Sequence, residues 1–176
     1  MILDRFDASG MVAVVTGAGR GIGARCATAL AELGADVACA ARTQAQIDDT
    51  AEQIRTLGRR AIAVSCDVTQ RADLEELVEA TMHELGRIDI LVNNAGGWPP
   101  RELFRTSESS FEDAFRFNVT SAFLLTRFAA PRMVESDGGG AIVNISSRAG
   151  SMVQQGFTAY GTAKAALSFL SRNLAP

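Results

Sequence analysis

The run MVAVVTGAGRGIGARCATALAELGADVACAA, residues 11–41, restricts the fold more than any other stretch of the chain. An unbroken apolar segment, 11–16, is too short for a core helix and reads as a strand buried on both faces. Four glycines in seven residues follow it, and then GIGARCATALAELG, 21–34, carries a helical apolar period up to a glycine stop. A second apolar strand, 36–41, completes a β-α-β unit, whose crossover is right-handed.

The same alternation runs on to the end. A polar helix covers 43–58, a strand 61–68, a helix 71–86 and a strand 88–96 that enters a glycine turn. A long helix is expected over 107–135, with Phe111, Phe115, Val119, Phe123 and Leu124 on its period. The glycines at 138–140 break it, a strand follows at 141–146, and 157–173 is helical again. Alternating strands and helices with continuously apolar strands imply an α/β fold, a doubly wound parallel sheet with helices on both faces. No repeat or linker divides the 176 residues, so one domain over 1–176 is expected.

A glycine turn between a strand and a helix suits a diphosphate. Glycine lets backbone N–H groups approach phosphate oxygens, and the helix N terminus adds positive partial charge. Gly17, Gly19, Gly21 and Gly23, with Arg20 and Ile22 between them, are therefore the expected dinucleotide cradle. An NAD site places an acid at the end of the second strand, about 20 residues on, to bind the ribose 2′-hydroxyl. Here that position holds Ala41, followed by Arg42 and Thr43, and Asp36 lies at the opposite end of the strand. A guanidinium matches a 2′-phosphate, so Arg42, with Arg20 as a second cation, points to NADP(H). As bland alternatives, both arginines are ordinary solvated charges, and NAD(H) is the other possible cofactor.

Net charge is −3, and no basic block marks a nucleic-acid partner. No apolar run approaches the ~18 residues that cross a bilayer, and MILDRFDASG lacks the apolar region of a secretory signal. Cys26, Cys39 and Cys66 are odd in number and sit among small apolar residues. That favours free buried thiols in a cytoplasmic protein over a disulfide or metal site. The lone His83 builds no zinc site, and a partly exposed helix position is expected for it; no metal is expected.

The remaining signal lies in TAYGTAKAAL, 158–167. Of 17 Lys+Arg, Lys164 is the single lysine, and it stands four residues after Tyr160, the single tyrosine. Residues i and i+4 of a helix share a face. A phenol in water keeps its proton until about pH 10, and a neighbouring ammonium stabilises the phenolate. Arginine is too basic and too broad to replace a compact ammonium in a proton relay. The bland alternative is a half-buried tyrosine beside an exposed lysine.

Together TGAGRGIG (16–23), NNAG (93–96), Asn118, Ser147 and YGTAK (160–164) resemble the short-chain dehydrogenase/reductase family in its common, non-extended branch. The likeness extends loosely to bacterial hydroxysteroid dehydrogenases and ketoacyl reductases. It covers essentially the whole chain, and the ordered set of motifs is specific where each alone is weak. The resemblance implies a Rossmann-like nucleotide-binding domain. It implies hydride transfer between NADP(H) and a secondary alcohol or ketone, with Tyr160 as general acid/base. By it Ser147, thirteen residues before Tyr160 and preferred to Ser146, bonds the reacting oxygen. Lys164 holds the nicotinamide ribose, and Asn118 positions a water of the relay. Thr16 belongs to the glycine motif. Asp67 bonds the adenine amine with Val68 against the ring. Asn93, Ala95 and Gly96 line the cleft, and Ile145 packs beneath the nicotinamide. Read singly, Asp67 is also a helix N-cap in DVTQ, and Asn93 and Asn94 are also plain turn formers.

Members of the family continue beyond the helix that carries YGTAK through two further strands and a substrate loop. A C-terminal portion is therefore expected to be missing after Pro176, leaving the strand at 141–146 as an open edge. A catalytically weak nucleotide-binding protein is the alternative if the chain truly ends there. Trp98, Pro99, Pro100, Arg148, Met152, Val153 and Phe157 suggest a partly apolar small-molecule substrate, with Trp98 alternatively a loop anchor. The family resemblance also implies a homodimer or homotetramer through the helices at 107–135 and 157–173.

Overall fold

A computed structural model describes residues 6–136 and 139–175. The expectations placed on 1–5, Gly138 and Pro176 lie outside the described residues. The chain runs β1 (Val12–Thr16), α1 (Gly21–Glu32), β2 (Asp36–Ala41), α2 (Gln44–Thr56), β3 (Ala61–Ser65), α3 (Arg71–Leu85) and β4 (Ile90–Asn93). It then continues through α4 (Glu108–Phe115), a wide turn of π-helix (Arg116–Thr120), α5 (Ser121–Glu135), β5 (Ala141–Asn144) and α6 (Thr158–Leu174).

All strand pairings are parallel, in the order β3-β2-β1-β4-β5. The expected Rossmann-like α/β sheet is therefore present. Every residue of β1 is buried, as a strand covered on both faces requires. Because side chains alternate, Val12 and Val14 join one core with Leu74, Leu77 and Leu125 of α3 and α5. Ala13 and Val15 join the other, with Ala27, Ile47 and Ile54 of α1 and α2. Fully burying each β1 valine contributes about 1.5–3 kcal/mol, which makes this strand the anchor of both layers.

Carboxylates close the lower edge of the sheet, where strand N–H groups begin. The Val12 N–H donates to Asp89 at 2.8 Å, and the Arg60 N–H donates to Asp36 at 2.9 Å. Asp36 also pairs with Arg59 at 3.0 Å and Arg60 at 2.8 Å. Burial works against its charge, but the Arg60 hydrogen bonds and the two guanidinium charges outweigh burial and hold its carboxyl below the usual range.

Several elements differ in extent from the sequence reading. The strands expected at 61–68, 88–96 and 141–146 end at Ser65, Asn93 and Asn144. A parallel ladder ends where its partner ends: Ala41 pairs with Ser65, and Asn93 with Asn144. The helix expected over 107–135 is interrupted by its π-helical turn and carries Pro131 inside α5. β5 is an edge, with Ala141, Ile142 and Val143 exposed.

Candidate active site

The chain leaves β1 toward β2 and β3, then returns to lay β4 on the other side of β1. Crevices at such a reversal, beyond the carboxyl ends of the strands, hold ligands in open α/β sheets. Here a cleft of about 770 Å³ is lined from the ends of all five strands. Gly17, Gly19, Arg20 and Ile22 come from β1, and Ala41, Arg42, Thr43 and Gln46 from β2 and the start of α2. Cys66, Asp67 and Val68 follow β3, Asn94, Ala95 and Gly96 follow β4, and Ile145, Ser146 and Ser147 follow β5. Phe117, Tyr160 and Lys164 complete it.

The glycine turn is held by close contacts. Gly17 is left-handed (φ 66), and a methyl at Gly23 would stand 2.2 Å from the Gly17 carbonyl oxygen and 2.4 Å from Asn94 Nδ2. Only hydrogen fits there. Arg20 caps α1 without a side-chain hydrogen bond, which leaves the first N–H groups of the helix to an anion. Thr16 is buried and does not face the cleft. Its Oγ1 accepts from the Asn94 and Ala95 N–H groups, each at 3.0 Å, and so ties the β4 turn to the end of β1.

The two asparagines of NNAG divide their work. Asn93 lies inside the sheet, bonded to Asn144 Oδ1 at 2.9 Å and Thr126 Oγ1 at 3.4 Å, and is not on the cleft wall where it was expected. Asn94 lines the cleft, its Nδ2 donating to the Thr16 carbonyl at 2.9 Å. Strand alternation decides which of two adjacent residues turns inward. Asp67 is not the N-cap of α3. That cap is Gln70, without a side-chain bond, and Asp67 Oδ1 instead accepts from the N–H and Oγ1 of Thr69 in a tight turn.

At the other end of the cleft, Asn118 sits buried in the π-helical turn. Its Oδ1 accepts from the Gly97 N–H at 2.9 Å, and its Nδ2 donates to the carbonyls of Gly97 at 3.0 Å and Ala114 at 2.9 Å. Single π turns within helices are frequent at functional sites. Gly96 runs so close that a Cβ would stand 2.8 Å from Asn118 Oδ1 and 2.9 Å from Lys164 Nζ.

Lys164 is 3% exposed, unlike an ordinary surface lysine, and Nζ donates to the Ile145 carbonyl at 2.8 Å. Burial pushes its ammonium down from 10.5 to about 8. Nζ stands 5.9 Å from the centre of the Tyr160 ring, whose other neighbour is Phe157, also at 5.9 Å between centroids. Ser147 starts the short 3-10 turn Arg148–Gly150, and its Oγ accepts from the Ala149 N–H at 3.2 Å. Its hydroxyl proton remains to be donated.

Arg42 and Thr43 are exposed at the mouth, and Asp36 is at the far end of β2 in its ion pairs. Trp98 is anchored, its Nε1 donating to Ser110 Oγ at 3.3 Å. Met152 and Val153 are exposed. The cysteines are free, and burial pushes the Cys39 and Cys66 thiols up to about 12. The His83 side chain is 83% exposed, more than its helical position suggested. Of the cleft residues, sequence reasoning left out Asn94, Gln46, Cys66, Phe117 and Ser146. The NNAG motif contained the signal for the first, and nothing local announced Gln46.

The sequence profile of short chain dehydrogenases matches residues 11–176. An oxidoreductase of Mycobacterium tuberculosis is 48% identical over 172 residues, which is 98% of this chain and 65% of that protein. The 7α-hydroxysteroid dehydrogenase of Escherichia coli is 38% identical over 98% of this chain and 67% of its own length. A solved 7α-hydroxysteroid dehydrogenase, complexed with NADH and 7-oxo glycochenodeoxycholic acid, superposes with a TM-score of 0.94 at 38% identity, over 98% of this chain and 67% of that one. A short-chain type dehydrogenase/reductase from Mycobacterium marinum gives the same TM-score at 37% identity, with 99% and 72% covered. The chain thus spans about two thirds of the length of the relatives it matches. The ordered motifs, the sheet and these likenesses agree: the chain belongs to the short-chain dehydrogenase family.

Proposed function

We propose that residues 1–176 form one NAD(P)-binding unit of an oxidoreductase acting on a secondary alcohol or ketone, with NADP(H) as cofactor. The observation that carries the proposal is the convergence of Ser147, Tyr160 and buried Lys164 on the cleft that the glycine turn opens. The residues suit a dinucleotide: a glycine cradle that a Cβ would fill, an uncapped helix N terminus, and Arg42 exposed at the mouth. When bound, the nicotinamide supplies the hydride donor or acceptor.

The chain's own groups handle the proton. Ser147 donates its hydroxyl proton to the substrate oxygen and orients it. Tyr160 gives that oxygen a proton in reduction and removes one in oxidation. The Lys164 ammonium favours the phenolate and holds the nicotinamide ribose hydroxyls, with Asn118 fixing the wall beside it. Asp67 and Val68 receive the adenine, Gly17–Gly23 the diphosphate, and Arg42, Thr43 and Arg20 the 2′-phosphate. Trp98 borders a hollow that adjoins the cleft at Arg42 and Asp67, and Met152 and Val153 lie exposed after Ser147 without lining it; on this reading these residues favour a partly apolar small molecule.

Phe123, Val134 and Phe169 are exposed on α5 and α6, and on this reading they are covered in a homodimer or homotetramer. The free thiols suit the cytoplasm. None of the described helices is long and apolar enough to cross a membrane. A second reading, NAD(H) as cofactor, is favoured by the NADH in the 7α-hydroxysteroid dehydrogenase structure.

Fluorescence titration with NADPH and NADH separates the two. Arg42→Ala is expected to weaken NADPH about 10- to 100-fold, the worth of a charged hydrogen-bonded fork, and to leave NADH nearly unchanged. Equal effects on both would remove the 2′-phosphate assignment. Tyr160→Phe is expected to abolish turnover with binding retained; turnover that survived would remove the tyrosine mechanism.

A further inference from the structure

Ser146 is the serine of the NISS run that the catalytic reading leaves without a part. Its Oγ lies 2.6 Å from Ser168 Oγ and 3.0 Å from the Lys164 carbonyl, and Ser168 Oγ is itself 3.0 Å from that carbonyl. Three oxygens share two hydroxyl protons, enough to satisfy two sides of the triangle. The Ser168 bond to Lys164 is local to the helix and fixes nothing outside it. Ser146 is what carries the triangle across to the end of β5.

The residues on either side of the pair act in the same direction. Asn144 Nδ2 donates to Ser171 Oγ at 2.9 Å, and Lys164 Nζ donates to the Ile145 carbonyl. Three consecutive residues at the end of β5 thus grip Lys164, Ser168 and Ser171, which recur at i, i+4 and i+7 on one helix face. The buried apolar residues of α6 are Ala159, Ala163 and Leu167. Contacts of that kind are non-directional and leave sliding along the axis open. One residue of slip moves the helix about 1.5 Å, enough to break a bond of 2.8 Å.

We propose that Ser146 is a positioning residue. By tying the Lys164 carbonyl and Ser168 to the end of β5, it sets the axial place of α6 and so holds the ammonium against Ile145 and Gly96. The proposal rests on the reading of Lys164 as part of the catalytic group. Facing Nζ are the Ile145 carbonyl, Gly96, the neutral Asn118 amide and the Tyr160 ring, with no ion pair to Lys164 among the described residues.

The single lysine makes the test direct. With ε-13C-lysine the chain gives one side-chain signal, whose pH titration reads Lys164 without cofactor or substrate. The wild-type midpoint is expected near 8. In Ser146→Ala it is expected to rise by about one unit or more as water reaches a displaced amine, whereas Ser146→Thr, which keeps the hydroxyl, stays within about 0.3 unit of wild type. If Ser146→Ala does not fold, the double change Ser168→Ala/Ser171→Ala cuts the same face from the helix side and is held to the same criterion.

An alanine variant that melts earlier but titrates with the wild type reduces Ser146 to a stabilising contact and overturns the proposal. So does a wild-type midpoint near the free-lysine value. Failure of the oxidoreductase reading would show separately, as absent dinucleotide binding with the lysine shift intact.

Discussion

Lys164→Met should make the fold more stable at neutral pH. Lys164 is buried and shifted from 10.5 to about 8, so the folded state disfavours its charged form. The unfolded chain then binds more protons than the folded one between those values, and stability rises with pH across that window. Below 8 the full penalty operates, as much as about 3 kcal/mol at 1.36 kcal/mol per unit; above 10.5 it is gone. Methionine keeps most of the volume but gives up the bond to the Ile145 carbonyl, which returns about 1 kcal/mol of the gain. The net expectation is that Lys164→Met is more stable by about 1–2 kcal/mol at pH 7, and that its advantage shrinks by about 2 kcal/mol by pH 9.5. Urea unfolding of both chains at several pH values measures this, and the difference between them cancels every other titrating group. An advantage that stays flat within about 0.5 kcal/mol, or grows with pH, would refute the argument that the ammonium is held against its own burial penalty.

Two further perturbations probe other parts of the frame. Gly96→Ala puts a methyl 2.8 Å from Asn118 Oδ1, which is pinned to the Gly97 N–H and has little freedom to retreat. A loss of about 1–3 kcal/mol in urea unfolding is expected, and a loss below about 0.5 kcal/mol would show that the loop yields. Asp36→Asn leaves Arg59 and Arg60 without their carboxylate, a loss on the order of 1–2 kcal/mol at pH 7 for half-exposed arginines. The wild-type carboxyl is held low, so its contribution is present above the unfolded value of about 3.9 and is lost as pH falls through the lower folded one. Melting temperatures of wild type and variant should therefore converge between pH 5 and acid, to be followed by circular dichroism; curves that stay parallel would exclude the linkage.

The sites that could be read from sequence are those whose constraint is local. In the glycine turn, the strand before it, the left-handed Gly17 and the helix after it are all encoded within a dozen residues. Tyr160 and Lys164 are likewise set by one helical turn. What escaped reading depended on partners far along the chain. Ser65 ends β3 because Ala41 ends β2. The π-helical turn at Arg116–Thr120 holds an amide whose partner Gly97 lies 21 positions away, and no periodicity announces it. Asn94, not the expected Asn93, reaches the cleft because the pleat at the end of β4 decides which one enters the sheet.

By itself, then, the sequence determined the alternation of strands and helices, the nucleotide-type turn and the identities of the serine, tyrosine and lysine. Apolar period, glycine spacing and residue chemistry are properties of neighbours in the chain. Only the tertiary structure decided that Lys164 is buried, that Asn118 and Gly96 form the wall beside it, and that Ser146 ties its helix to β5. Burial and hydrogen-bond partnership are set when parallel strands bring distant segments to one edge of the sheet, and this positioning is what changes an ordinary lysine into one shifted to about 8.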